Sequence, residues 1–262
     1  MPDITDRIRL DGRVAVVTGA AGIIGTATMR LLAERGARVV AVDRREQDLK
    51  TAIKDLPASA QALAVTADVS DEDEVASYVR ATIEKFGTID AFYNNAGIEG
   101  DVKPITEYSL EMFRRVLDVN VVGVFLGIKH VLPVMLKQNK GSIINTASIA
   151  GLMGSPHIAV YSASKHAVIG LTKTASWECT GTGVRVNCVC PGLIESRMLS
   201  NIMQRRNGGN APMPSEKMVE RIPARRLGQA SEVASIVAFL ASDEASYVSG
   251  SAYTVDGGRT AA

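Results

Sequence analysis

The chain has 262 residues, of which 46% are hydrophobic and 22% charged; these are globular proportions and exclude a disordered chain. Lys plus Arg number 29 and Asp plus Glu 28, a formal net charge of +1, so neither nucleic acid nor an anionic membrane is expected as the main partner. Three cysteines are too few for a disulfide framework, no run approaches the ~18 apolar residues of a membrane span, and the N-terminus lacks the apolar stretch of a signal peptide, so the expectation is one soluble, cytoplasmic domain over residues 1–262.

Short apolar, β-branched runs alternate with amphipathic stretches. Residues 13–18 (RVAVVT) predict a buried strand. Ile24, Ala27, Leu31 and Leu32 then recur at helical spacing, and Gly36 stops that helix. Residues 38–42 form a second strand ending at Asp43, and 61–66 a third. Ser70, with Asp73 three residues on, resembles a capping pair and opens a helix that stops near Gly87. Residues 89–93 are a fourth strand, and 110–137 are helical for most of their length, with Pro133 marking a kink or break. A strand at 142–146, a helix at 161–178, a strand at 184–189, a helix at 231–240 and a strand at 252–255 follow. Residues 193–223 carry no strand signal and are interrupted at 207–210 and 212–214. A long irregular segment in a compact domain is usually functional, often a lid.

This alternation predicts an α/β fold with a parallel sheet covered on both faces. Ligands in such sheets bind outside the carboxyl ends of the strands, where Gly19, Asp43, Asn95 and Ser148 fall. The turn Thr18-Gly-Ala-Ala-Gly-Ile-Ile-Gly25 lies between the first strand and the first helix. Glycine there lets the backbone approach a pyrophosphate, and the helix N-terminus supplies N–H donors. Gly19, Gly22, Ile23 and Ile24 are therefore candidate cofactor contacts; the plainer reading is a tight turn with no ligand. Asp43, 18 residues after Gly25, can accept from adenosine ribose hydroxyls and would repel a 2′-phosphate, which favours NAD over NADP. Arg44 and Arg45 follow directly and could pair with a 2′-phosphate, but a solvated loop suits them better.

Tyr161 and Lys165 are spaced i, i+4 on a predicted helix and share a face. Ser148 lies 13 residues upstream of Tyr161. A phenol is a poor acid or base at neutral pH. An ammonium ~4 Å away, at an effective dielectric of ~20, is worth about 4 kcal/mol, enough to bring Tyr161 near pH ~7. Ser148 can hold a substrate oxygen against the phenol.

Together these pieces resemble the classical short-chain dehydrogenases/reductases from about residue 10 to 258. The matching residues occur in family order: the turn at 18–25, Asp68-Val69, Asn94-Asn-Ala-Gly97, Asn120, Ser148, Tyr161-Ser-Ala-Ser-Lys165, Asn187, Pro191-Gly192 and Asp256-Gly-Gly258. The resemblance implies a Rossmann-like, doubly wound, seven-stranded parallel sheet with helices on both faces, a nicotinamide dinucleotide and a homotetramer. It implies that Tyr161 is the acid/base, that Lys165 lowers its pKa and holds the nicotinamide ribose, and that Ser148 polarises the reacting oxygen. Asn120 would support Lys165 through a water. Asp68 and Val69 would flank the adenine, and Asn95, Ala96 and Gly97 would lie along the cofactor, as would Pro191 and Gly192. Ser196 is the nearest candidate for the nicotinamide amide, with Ile194 presenting backbone to it. The chain departs from the family pattern at one point: Ile23 stands where the middle glycine is usual, with Gly22 one place earlier.

The lid carries an apolar stripe of Leu193, Ile194, Met198, Leu199, Ile202 and Met203, which either closes over a hydrophobic substrate or packs a short lid helix onto the domain. His157, Met153 and Ile158 are candidate pocket residues, with a surface loop or the core as alternatives. Glu99 either contacts a substrate hydroxyl or is solvated. Cys179, Cys188 and Cys190 lack ligand spacing and belong to the core, so no metal site is expected. The expected function is an NAD(H)-dependent oxidoreductase interconverting a secondary alcohol and a ketone, on a hydrophobic, aromatic or alicyclic small molecule. The alternatives are an NADPH-dependent ketoreductase on acyl-carrier substrates and a non-catalytic NAD-binding regulator.

Overall fold

The structure, a computed structural model, describes residues 9–206 and 219–261; the interruptions at 207–210 and 212–214, and the extreme ends of the chain, lie outside the described residues. Seven strands, β1 (Val14–Thr18), β2 (Arg38–Asp43), β3 (Ala62–Thr66), β4 (Ala91–Asn94), β5 (Gly141–Thr146), β6 (Val184–Pro191) and β7 (Ala252–Val255), form one sheet in the order β3-β2-β1-β4-β5-β6-β7. Every neighbouring pair is parallel. The chain reverses its direction of growth between β1 and β4, and the crevice at their carboxyl ends is where such sheets bind ligands.

Among the described residues the longer helices are α1 (Ile23–Glu34), α2 (Glu46–Lys54), α3 (Glu72–Phe86), α4 (Leu110–Gln138), α5 (Ala159–Glu178), α6 (Arg197–Arg206) and α7 (Ala230–Ala241). Because side chains alternate along a strand, β1 feeds two cores. Val14 and Val16 pack with Val75, Val124, Val131 and Val168 of α3, α4 and α5. Ala15 and Val17 pack with Met29, Leu32, Val233 and Val237 of α1 and α7. Burying each such valine contributes about 1.5–3 kcal/mol, and a charge at Val16 would face a dry core.

Four local features differ from expectation. Helix α2 is too short for a strong periodic signal, though Leu49 and Ala52 are buried at i, i+3. Helix α3 is capped by Asp71, whose carboxylate accepts from Glu74 N–H at 3.0 Å, while Ser70 bonds to Asp68 instead. Helix α4 runs through Pro133 without ending, and its irregularity is a π turn over Asp118–Val122. The lid contains helix α6, capped by Ser196, whose Oγ accepts from Leu199 N–H at 3.1 Å. By length and composition α4 could cross a membrane, but Val124, Leu126, Ile128, Val131 and Met135 are buried in the core against the sheet and its helices.

Candidate active site

The turn after β1 is built for close approach. Gly19 has φ 63°, and a Cβ there would lie 2.8 Å from Ala96 Cα. A Cβ on Gly25 would lie 2.2 Å from the Gly19 carbonyl oxygen. Gly22 has an ordinary φ of −76° and serves as the N-cap of α1. Ile23 is helical and 51% exposed, so the position needs no glycine. Helix α1 has no side-chain cap and no acidic residue in its first turn. Its first N–H groups are therefore presented at the positive end of the helix dipole, which suits a pyrophosphate.

Asp43 closes this end. Its Oδ2 accepts from Ala21 N–H at 3.1 Å and its Oδ1 from Arg45 N–H at 3.3 Å. The carboxylate is thus held at the rim of the turn with lone pairs left for a ribose. Arg45 is paired with Asp48 at 2.8 Å. Asp68 accepts from Ser70 N–H at 2.9 Å and from the Ser70 hydroxyl at 2.6 Å. Burial pushes its pKa up, but these bonds and the nearby Arg44 and Arg115 leave it lowered. Val69 is buried against Gly123. These free amides, the strand-end carboxylate and the close-packed backbone fit a dinucleotide.

Asn95 has a framework task. Its Nδ2 donates to the carbonyls of Thr18 (3.0 Å) and Gly19 (3.2 Å), and its Oδ1 accepts from the Thr146 hydroxyl at 3.3 Å. Thr18 Oγ1 accepts from the N–H groups of Asn95 (2.9 Å) and Ala96 (3.1 Å). The ends of β1, β4 and β5 are thereby tied at one point. Gly97, Pro191 and Gly192 line the cavity beyond it.

Ser148, Tyr161 and Lys165 converge on this cavity. Helix α5 presents Tyr161 and Lys165 one turn apart, with Lys165 Nζ 5.5 Å from the ring centre. The Ser148 hydroxyl donates to the Pro191 carbonyl at 3.4 Å and accepts from Ala150 N–H at 3.2 Å, on the side of the cavity that Tyr161 shares. The expected drop in the Tyr161 pKa is not present. Burial pushes it up to about 12, the Ser148 hydroxyl lowers it less, and Glu99 and Cys190 add to the rise. Lys165 is itself depressed to about 8 by burial, and its Nζ donates to the Thr146 carbonyl at 2.7 Å. The ammonium is spent on that carbonyl rather than on the phenol, so desolvation prevails.

Asn120 sits on the π turn of α4, a distortion frequent at functional sites. Its Oδ1 accepts from Ile98 N–H at 2.8 Å, and its Nδ2 donates to Ile98 C=O at 2.9 Å and to Ser164 Oγ at 3.0 Å.

The cavity has a volume of about 610 Å³. Met153, Ile158, Leu193, Ile194, Met198, Leu199, Ile202 and Met203 line it, as does Ser196. Ser196 uses its hydroxyl on the Ile194 carbonyl and the α6 cap, so the hydroxyl is committed to the lid. Two expected pocket residues lie elsewhere. His157 is exposed with φ 66°, which turns the chain at that point, and does not line the cavity. Glu99 accepts from Asn201 Nδ2 of the lid helix at 3.4 Å, while Arg205 donates to the Gly100 carbonyl at 2.9 Å, so this loop latches the lid. Nothing in the sequence points to separate tasks for Thr18, Thr146 and Ser164, which act through backbone and neighbours, or to Arg221 and Arg259, which line the cavity from segments distant in sequence.

A family model described as Enoyl-(Acyl carrier protein) reductase matches residues 19–260. Levodione reductase of Leifsonia aquatica is 40% identical over 97% of this chain and 96% of that protein. Its crystal structure superposes with a TM-score of 0.94, covering 97% of this chain and 100% of that one. Cyclohexanol dehydrogenase of an Acinetobacter species is 39% identical over 96% of each chain. An NAD+-bound xylitol dehydrogenase structure is 35% identical with a TM-score of 0.91, covering 95% and 99% of the two chains. With this sheet, this turn and these relatives, the chain belongs to the classical short-chain dehydrogenase/reductase family, whose oxidoreductases use a nicotinamide cofactor.

Proposed function

We propose that the protein is an NAD(H)-dependent dehydrogenase that interconverts a secondary alcohol and a ketone on a substrate with a hydrophobic, alicyclic or aromatic body. The observation that carries this reading is the convergence of Ser148, Tyr161 and Lys165 on one otherwise largely apolar cavity lined by the lid. Bound nicotinamide supplies the hydride acceptor or donor. In reduction, Tyr161 donates its phenolic proton to the carbonyl oxygen, and in oxidation it takes the hydroxyl proton. A phenol pushed up to about 12 is protonated at neutral pH, so the acid role needs no further change. The base role needs further positive charge near the phenol, which bound oxidised nicotinamide would supply. Ser148 holds the reacting oxygen, and Asn120 keeps the Ile98 peptide beside Lys165 in place.

Asp43 favours NAD, because a 2′-phosphate beside it would meet a like charge held by two backbone amides. The ion pair that occupies Arg45 points the same way. The likeness to cyclohexanol dehydrogenase supports an alicyclic alcohol. A homotetramer fits the exposed apolar side chains of α4 and α5, among them Phe125 (48%) and Trp177 (80%). Three free, buried thiols suit the reducing cytoplasm.

The test is NAD+ reduction at alkaline pH against aryl, aliphatic and alicyclic secondary alcohols, polyols and hydroxysteroids, with NADP+ in parallel. Turnover of an apolar alcohol with NAD+ is expected. Turnover only with NADP+, or only of acyl-carrier substrates, replaces this reading with the ketoreductase. NAD+ binding with silence across every class favours a regulator.

A further inference from the structure

The cavity is apolar in bulk, yet its charged lining has one sign. Lys165, Arg221 and Arg259 line it, and among the described residues no Asp or Glu does. Lys165 stands at the reaction end and is engaged by the Thr146 carbonyl at 2.7 Å. Arg221 and Arg259 enter from the segments before α7 and after β7. Neither forms an ion pair with a carboxylate among the described residues. Arg221 is exposed and Arg259 half-buried, which puts the pair at the mouth of the cavity rather than in its depth.

Their placement is fixed by bonds that leave the guanidinium groups largely unspent. Arg259 Nη1 donates to the Arg221 carbonyl at 3.2 Å, joining the two segments. Ala224 N–H donates to the Gly257 carbonyl at 3.0 Å, a second tie between them. Asp256, the acid nearest Arg259 in sequence, is consumed locally. It accepts from Gly258 N–H at 3.0 Å, Thr260 N–H at 2.9 Å and the Thr260 hydroxyl at 2.7 Å. The result is two preorganised cations facing an apolar chamber whose other end holds Ser148 and Tyr161. Guanidinium recognises planar anions bidentately, and such charge-assisted bonds are the strong ones.

Resting on the alcohol–ketone reading above, we propose that Arg221 and Arg259 anchor an anionic group of the substrate, making it a hydroxy acid or oxo acid whose apolar body separates the acid from the reacting carbon. The apolar lid residues then contact the body, and the anchor orients the reacting oxygen toward Tyr161. Carboxylates and sulfonates share this chemistry.

The experiment compares kcat/KM with NAD+ for matched sets of secondary alcohols of increasing carbon skeleton, aliphatic and alicyclic. Each set bears a carboxylate, a sulfonate or a neutral primary amide at the far end. The anionic members are expected to exceed the amide by about 10- to 100-fold; which anion leads identifies the group. Arg221→Gln and Arg259→Gln are each expected to remove most of that preference while changing amide turnover and NAD+ Kd less than about 3-fold. Equal kcat/KM for anion and amide in every set overturns the proposal. So does a variant that loses amide turnover equally or weakens NAD+ binding, since the arginines then serve the cofactor or the fold. Loss of turnover for all members, amides and simple alcohols included, would instead count against the alcohol–ketone reading.

Discussion

Asn120 clasps Ile98 by both ends of its backbone: Oδ1 accepts from the N–H at 2.8 Å and Nδ2 donates to the C=O at 2.9 Å. One side chain on the π turn of α4 thereby fixes the loop after β4, next to Gly97 and Lys165. A Cβ on Gly97 would lie 3.2 Å from Asn120 Oδ1 and 3.5 Å from Lys165 Nζ. Asn120→Ala leaves the Ile98 N–H and C=O without their partner. Each unsatisfied group costs about 1–3 kcal/mol, so with two such groups chemical denaturation is expected to show a loss of about 2–6 kcal/mol. Equal stability of Asn120→Ala and the parent chain would refute the clasp.

Tyr161→Phe removes one oxygen from the α5 face and nothing from the packing. The proposed acid/base is deleted while the ring remains beside Lys165. General acid–base groups contribute about 10²- to 10⁴-fold, and kcat is expected to fall by that factor. NAD+ affinity and thermal midpoint are expected to stay near parent values. Retained turnover in a folded, cofactor-binding variant sinks the assignment.

Asp43 decides the cofactor through a carboxylate tied to Ala21 and Arg45 amides. Asp43→Ser keeps an acceptor for one of those amides and removes the charge a 2′-phosphate would meet, while Arg44 stays free to pair with it. The ratio of kcat/KM for NADP+ over NAD+ is expected to rise about 10- to 100-fold, equivalent to about 1–3 kcal/mol. An unchanged ratio would mean that Asp43 does not set cofactor choice.

Much of the site was legible because it is local. The turn at 18–25, the strand end at Asp43 and the i, i+4 pair on α5 each depend on near neighbours in sequence, and the strands follow from continuous apolar runs. What escaped depends on the third dimension. The direction of the Lys165 ammonium on α5 is set by the Thr146 carbonyl at the end of β5. The sequence spacing suggested a partner for the phenol, but burial raised the phenol instead. His157 stands in the right stretch, yet a left-handed backbone turns it outward. Arg221 and Arg259 carry no local pattern and meet through the Arg259 bond to the Arg221 carbonyl and the close approach of Gly257 to Ile222 and Ala224. The π turn that aims Asn120 leaves no trace in hydrophobic periodicity.

Lys165 makes the active site a store of instability that pH can release. Its folded pKa of about 8 lies below its ordinary value of 10.5, because burial opposes the charge. Between those values the unfolded chain binds more protons than the folded one, so stability rises with pH. Below about 8 both states are charged and the penalty is fully present; above it the folded lysine is neutral and the penalty fades. One pH unit of such a difference is worth about 1.4 kcal/mol. The parent chain is therefore expected to gain about 2–3 kcal/mol between pH ~8 and ~10 relative to Lys165→Met, which cannot titrate there. Tyr161, raised from 10 to about 12, acts in the opposite sense only above pH ~10 and is common to both proteins, so it cancels in the comparison. Denaturant titrations of the two proteins across that window measure the difference directly. A constant difference would show that Lys165 keeps an ordinary pKa in the folded chain, and that water or a polar partner solvates its ammonium despite its burial.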